Sequence, residues 1–143
     1  MSVTLDTNVL VYASNEADAA HDAARDLVQR LAAGPGLLYL FWPTLLGYMR
    51  ITTHPGIMPR PLAPAVAAGN LGQLLGLPHV RTPGEGDGFW RHFAAVGGER
   101  ARGNDVPDTH LAALMRQHEV RAIYSRDRGF RQFDDIDVRD PLG

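Results

Sequence analysis

Val3-Thr4-Leu5-Asp6-Thr7-Asn8-Val9-Leu10-Val11-Tyr12 reads as a short β-like segment, a polar turn and an apolar helical segment in direct succession. A strand that hands over to a helix in this way opens an α/β unit, and its turn falls where such units expose functional groups. The same grammar recurs at the other end of the chain. Asp105 to Glu119 has helical spacing, with Leu111, Ala112, Leu114 and Met115 apolar. Val120 to Tyr124 reads as a strand, Ser125 to Asp127 as a turn and Gly129 to Phe133 as a short helical turn, with Ile136-Asp137-Val138 as a final edge strand.

Between these ends the alternation continues. From Glu16 to Ala33 the apolar residues Ala20, Ala23, Ala24, Leu27, Val28 and Leu31 recur at intervals of three and four, which predicts a helix with one buried face. Gly34-Pro35-Gly36 stops it. Leu37 to Phe41 is a continuous apolar run of the kind buried on both faces of a parallel sheet. Pro43 opens a helix through about Thr53, with Leu45, Leu46 and Met49 inward, and His54-Pro55-Gly56 closes it. An Ala- and Leu-patterned helix follows the Pro-rich stretch Met58 to Pro64 and ends near Leu77. His79-Val80-Arg81 suits a short strand, and Phe89, Trp90, Phe93, Ala94 and Val96 mark a helix after the loop Pro83 to Gly88. The expectation is a single α/β domain over 1–143, with a mainly parallel central sheet of four to five strands flanked by helices and joined by right-handed crossovers.

Composition narrows the chemistry. The chain has 143 residues, 45% of them hydrophobic and 21% charged, which suits a globular domain rather than a disordered one. No apolar run reaches the ~18 residues a bilayer span needs, and Met1 to Leu5 lacks a basic region, so the expected location is the cytoplasm with no membrane partner. With no cysteine, disulfides and thiolate chemistry are excluded, and any metal must be held by oxygen or imidazole. The six histidines are scattered with no pair at zinc-ligand spacing. The net charge of −2 gives no basic excess of the kind nucleic-acid binders usually show. All 14 basic residues are arginine, which suits bidentate phosphate contact and equally follows from GC-rich coding.

Three aspartates stand out by position. Asp6 and Asp127 directly follow strands, and Asp108 lies in the first turn of the helix that feeds the second of those strands. Carboxylates gathered in one cleft repel one another unless a cation neutralises them, and Mg²⁺, or alternatively Mn²⁺, takes such oxygen ligands. Each aspartate also has a local explanation: Asp6 as a turn residue, Asp108 as a favourable charge after an Asp105 helix cap, and Asp127 as the cap of the turn that follows it.

The segments carrying these residues resemble the PIN-domain family and, within it, the VapC-type toxins. Val3 to Tyr12 looks like the family's first motif. Val106-Pro107-Asp108-Thr109-His110-Leu111-Ala112-Ala113-Leu114 resembles its third-acid motif, and Tyr124-Ser125-Arg126-Asp127-Arg128-Gly129-Phe130 resembles its closing motif. The resemblance implies a metal-dependent endoribonuclease, the toxin of a type II toxin–antitoxin pair, acting on tRNA or rRNA. Asp6, Asp108 and Asp127 would be its catalytic metal ligands, with Asn8, Arg50 and Ser125 on the substrate. A cognate antitoxin and a second copy of the chain would be its partners, and Leu27, Leu31, Tyr48 and Phe93 are candidate contacts.

One departure from the family pattern falls at Leu45-Leu46-Gly47-Tyr48-Met49-Arg50, where Gly47 occupies the place of a second acid. Asp105 is the nearest replacement ligand, with Glu99 weaker. The alternative reading is a catalytically weak PIN domain that binds RNA or antitoxin. A phosphatase with Asp6 as covalent nucleophile is less favoured, because such enzymes carry an acid two residues on, where this chain has Asn8. Thr53 and His54 are either phosphate contacts or a helix terminator. Trp42 and Trp90 suit core or interface packing better than base stacking.

Overall fold

Five short strands and six helices alternate along the computed structural model, which describes residues 2–143. The strands are β1 (Ser2–Leu5), β2 (Leu37–Tyr39), β3 (Val80–Arg81), β4 (Ala122–Tyr124) and β5 (Asp137–Arg139). The helices are α1 (Thr7–Ser14), α2 (His21–Ala33), α3 (Trp42–Thr52), α4 (Pro64–Leu75), α5 (Phe89–Ala95) and α6 (Asp105–Gln117), followed by a 3₁₀ turn at Arg128–Gln132. The sheet order is β3-β2-β1-β4-β5 and every pairing is parallel. This is the expected single-domain α/β architecture at the upper end of the expected strand number.

The first strand lies at the centre, between β2 and β4 and covered on both faces. Leu5 and the polar Thr4 are both fully buried. Thr4 tolerates this because its Oγ1 donates to the Tyr39 carbonyl at 2.6 Å. One face of the sheet is covered by a core that includes Val9, Leu10, Leu27, Leu45, Tyr48 and Leu71. The other is covered by a core that includes Leu111, Leu114, Met115, Phe130 and Phe133. Among the described residues no helix is long and apolar enough to cross a membrane.

Several boundaries differ from expectation, each for a local reason. The helix expected from Glu16 starts at His21, because Asn15 and Asp18 side chains accept from the backbone N–H of Ala17 and Ala20 and hold the approach in turns. The strand expected to reach Phe41 ends at Tyr39. Leu40 and Phe41 remain fully buried as they lead into α3. Leu46, expected inward, is 64% exposed, and Tyr48 is buried instead. The helix buries Thr44, Leu45, Tyr48 and Thr52, a stripe of helical period that passes Leu46 by. Leu27 and Tyr48 are thereby removed as partner contacts, and exposed apolar area sits on Leu46 and on Trp90, itself 75% exposed. Trp42 is 44% exposed, so neither tryptophan belongs to the core.

Candidate functional site

The pairing of β1 with β4 sets Leu5 opposite Tyr124. The next residue of each strand therefore leaves the sheet at the same carboxyl end, where a parallel sheet offers its binding crevice. The Asp6 N–H donates to the Tyr124 carbonyl at 3.0 Å, which continues the ladder one step past the strand. Asp6 then serves as the N-cap of α1, its Oδ1 accepting from the Thr7 N–H at 2.7 Å.

The other Asp6 oxygen, Oδ2, accepts from Ser125 Oγ at 2.9 Å, and that Oγ accepts in turn from the Asp127 N–H at 2.9 Å. Ser125, read from sequence as a substrate contact, is buried and ties the two acidic turns together. Asp127 caps the 3₁₀ turn through Oδ1, which accepts from the Gly129 N–H at 2.8 Å. The local capping roles of Asp6 and Asp127 are thus both real, and each leaves a carboxylate facing the same end of the sheet.

Asp108 completes the group from the first turn of α6. Its carboxyl is pushed up to about 6, first by burial, then by the neighbouring Asp127 and Asp6 carboxylates, and by a hydrogen bond shared with Asp127. Asp6 is also raised. Burial is the main cause, opposed by the Ser125 and Thr7 donors and reinforced by Asp127. The three carboxyls therefore feel one another. Among the described residues no three acidic or histidine groups converge tightly enough to hold an ion as they stand. The three expected ligands therefore share one end of the sheet, where Asp127 and Asp6 raise Asp108, without forming a converged ligand group.

Gly129, to which sequence reasoning gave no role, makes the crowding possible. A Cβ there would stand 2.6 Å from Asp108 Oδ2 and 3.1 Å from Asp127 Oδ1. A glycine two residues past an acid in a turn is the only sequence signal for it.

The family model of the PIN domain matches residues 3–136 of this chain. The chain belongs to the PIN-domain family. It is 51% identical to Ribonuclease VapC48 of Mycobacterium tuberculosis over 143 residues, covering 99% of each chain. In fold it matches M. tuberculosis VapC20, a toxin that cleaves the sarcin–ricin loop, at a TM-score of 0.63 and 19% identity over 94% of this chain and 98% of that one. A toxin–antitoxin complex from Klebsiella pneumoniae matches at a TM-score of 0.57 and 18% identity, with 97% of each chain covered.

In this PIN domain the position on α3 where the resemblance implies a second acid is packed rather than open. A Cβ at Gly47 would meet Thr7 Oγ1 at 3.0 Å and Thr7 Cγ2 at 3.1 Å. Thr7 Oγ1 donates to the Thr44 carbonyl at 3.3 Å, and Thr44 Oγ1 reaches the Leu5 carbonyl at 3.5 Å. The start of α3 is thus pinned against the turn that carries Asp6. Asp105, the expected replacement, lies one turn before Asp108. It is exposed at the first position of α6, after Asn104 rather than as the cap itself, and raises Asp108 less than Asp127 and Asp6 do. Glu99 is exposed in a turn.

Asn8 is exposed in the first turn of α1, beside Asp6. Arg50 is exposed in the last turn of α3, and among the described residues no ion pair or hydrogen bond ties it to the carboxylates. Thr53 and His54 act as a terminator: Thr53 Oγ1 donates to the Met49 carbonyl at 2.7 Å, and His54 Nδ1 accepts from the Gly56 N–H at 2.9 Å.

Proposed function

We propose that this PIN domain is a metal-dependent endoribonuclease and the toxin of a type II toxin–antitoxin pair, working in the cytoplasm. The observation that carries the reading is the gathering of Asp6, Asp108 and Asp127 at the carboxyl end of β1 and β4, with Asp108 raised to about 6 by burial and by its two acidic neighbours. A hard oxygen donor set that repels itself fits a divalent cation, Mg²⁺ or Mn²⁺. Such a cation, when bound, supplies neutralisation and Lewis-acid polarisation of the scissile phosphodiester.

The chain's own residues do the rest. Ser125 fixes the orientation of Asp6 through its hydroxyl and orders the Asp127 backbone. The Thr7 N–H takes one Asp6 oxygen and leaves the carboxylate a defined direction. Asn8, exposed in the first turn of α1, would donate to the ribose or phosphate of a bound strand. Relatives named ribonuclease support the activity, and the sarcin–ricin loop cut by VapC20 supports ribosomal RNA as one substrate, with tRNA the other. The Klebsiella complex supports an antitoxin as partner, and a homodimer is the expected assembly.

The test is cleavage of ribosomal RNA and tRNA by purified protein with Mg²⁺, with EDTA, and with Asp6→Asn. Cleavage that needs the cation and is lost in the variant is the expected result. The packing of Gly47 against Thr7 favours a second reading, a weak catalyst that chiefly binds RNA or antitoxin. It gains if the parent binds RNA without cutting it and Gly47→Glu creates cleavage. It falls if the parent cuts and Asp6→Asn does not.

A further inference from the structure

RNA is a polyanion, and one cation among three carboxylates leaves the phosphates on either side of the scissile one without a counter-charge. The chain's net charge of −2 makes the disposition of individual arginines decisive. Several are already engaged. Arg25 lies 3.7 Å from both Asp22 and Asp26, and Arg139 lies 2.9 Å from Asp137. Arg81 donates to the carbonyls of Pro78 and Val80, and Arg116 meets His92 at 2.7 Å.

Arg126 is different in place and in environment. It stands between Ser125 and Asp127, in the turn that holds two of the site's groups, and is exposed. Its guanidinium carbon lies over the Tyr12 ring, 5.9 Å from the centroid. Among the described residues no carboxylate pairs with it. An aromatic face restrains a guanidinium fork without neutralising it or consuming its N–H donors. Tyr12 is fixed in turn, since it belongs to α1 and lies four residues after Asn8 on the same helix face. Asn8 and Tyr12 thus share one face of α1, and Arg126 from the neighbouring turn lies over the Tyr12 ring. Arg128 and Arg131 are exposed too, but no recorded contact holds either in place.

We infer that Arg126, held over the Tyr12 ring, binds a backbone phosphate of the RNA strand next to the one being cleaved. The inference rests on the ribonuclease reading and adds to it a substrate-binding residue on the α1 side of the site. The fork geometry suits two phosphate oxygens at once. Tyr12 acts as a positioning residue.

Binding of a fluorescein-labelled single-stranded RNA, followed by anisotropy across a salt series in the Asp6→Asn background, tests this without relying on turnover. Adding Arg126→Ala weakens binding roughly ten-fold and makes the log–log salt slope shallower by about 0.7, the value for one phosphate contact on a single strand. Arg126→Lys keeps the slope but recovers only part of the affinity, because the charge remains and the fork does not. Tyr12→Leu lowers affinity and leaves the slope near that of the background, since the charge is loosened rather than removed. Arg30→Ala, in the last turn of α2, reports the effect of losing any arginine and leaves affinity unchanged.

Equal binding with and without Arg126, or an equal loss on Arg30→Ala, overturns the inference. Failure of the Asp6→Asn protein to bind the RNA at all overturns it too. The two readings separate on the parent enzyme: cation-dependent cleavage together with an inert Arg126→Ala sinks only the role of Arg126, whereas a parent that never cuts RNA sinks the ribonuclease reading itself.

Discussion

Gly129→Ala adds one methyl group at the point where the site is tightest. The new Cβ would lie 2.6 Å from Asp108 Oδ2 and 3.1 Å from Asp127 Oδ1. An unstrained contact needs close to 3.5 Å, so the Asp108 oxygen must retreat by roughly 1 Å. Mg²⁺ demands near-ideal octahedral geometry at short range and tolerates no such displacement of a ligand. Misplacement on that scale costs about 100-fold in rate, and this is the expected fall in kcat/KM for RNA cleavage. The fold should not share the loss. Gly129 has no positive φ, so its backbone conformation suits alanine, and the reduced freedom of the unfolded chain contributes about 0.4–1 kcal/mol in favour of folding. The control is Gly69→Ala on α4, where a Cβ meets nothing within 4 Å. It should stabilise by about 0.5–1 kcal/mol and leave cleavage unchanged. Parent-like activity in Gly129→Ala would refute the reasoning, and so would a loss of activity matched by a collapse in Tm.

Other consequences follow from the same groups. Because the Asp108 carboxyl sits at about 6 rather than the usual 3.8, the folded state holds its proton more tightly than the unfolded chain does. The contribution of this group to the stability of the metal-free protein is therefore fully present below about pH 4 and is lost as the pH rises through 6. The ceiling is about 3 kcal/mol, cut to roughly 1–2 kcal/mol by solvent screening of a part-exposed group, and Tm against pH in EDTA measures it. A difference in Tm between the parent and Asp108→Asn that does not change between pH 4 and pH 7 in EDTA would contradict this. Asp108→Asn should raise Tm at pH 7.5 in EDTA while abolishing cleavage, because it removes a repelled charge that the reaction needs. Ser125→Ala should lower kcat/KM about 10-fold to 100-fold by freeing Asp6 and the Asp127 turn, read by steady-state cleavage alongside circular dichroism. If Ser125→Ala left kinetics unchanged, the hydroxyl would be structural only.

How much of this could be read in the chain depended on the range of the interaction involved. The strand–turn–helix at residues 3–12 and the helix–strand–turn leading to Asp127 were legible because apolar period, turn chemistry and caps are written within a few residues. Asp6 and Asp127 fell at the strand ends by that logic alone. The proximity of Asp108 was not legible in this way, since it depends on α6 crossing to the site over β4, and the family resemblance supplied it instead. The late start of α2 turned on Asn15 and Asp18 competing for backbone N–H groups, a contest that apolar spacing does not register. Leu46 and Tyr48 exchanged roles because the buried stripe of α3 is set by Thr44 and Thr52, polar residues that an apolar count passes over. Gly129 and Gly47 could not be interpreted without the side chains that approach them from other elements. Ser125 was expected on the substrate, whereas its hydroxyl faces Asp6, a contact made across the sheet that the local sequence does not register.

The central claim is that Asp6, Asp108 and Asp127 turn inward to share one divalent cation. Crystals of the protein grown or soaked with Mn²⁺ and measured at a wavelength where manganese scatters anomalously test it directly. The account predicts an anomalous peak bounded by oxygens of all three aspartates, absent in Asp6→Asn. A peak elsewhere, or ordered side chains at full Mn²⁺ with no peak between them, would contradict it.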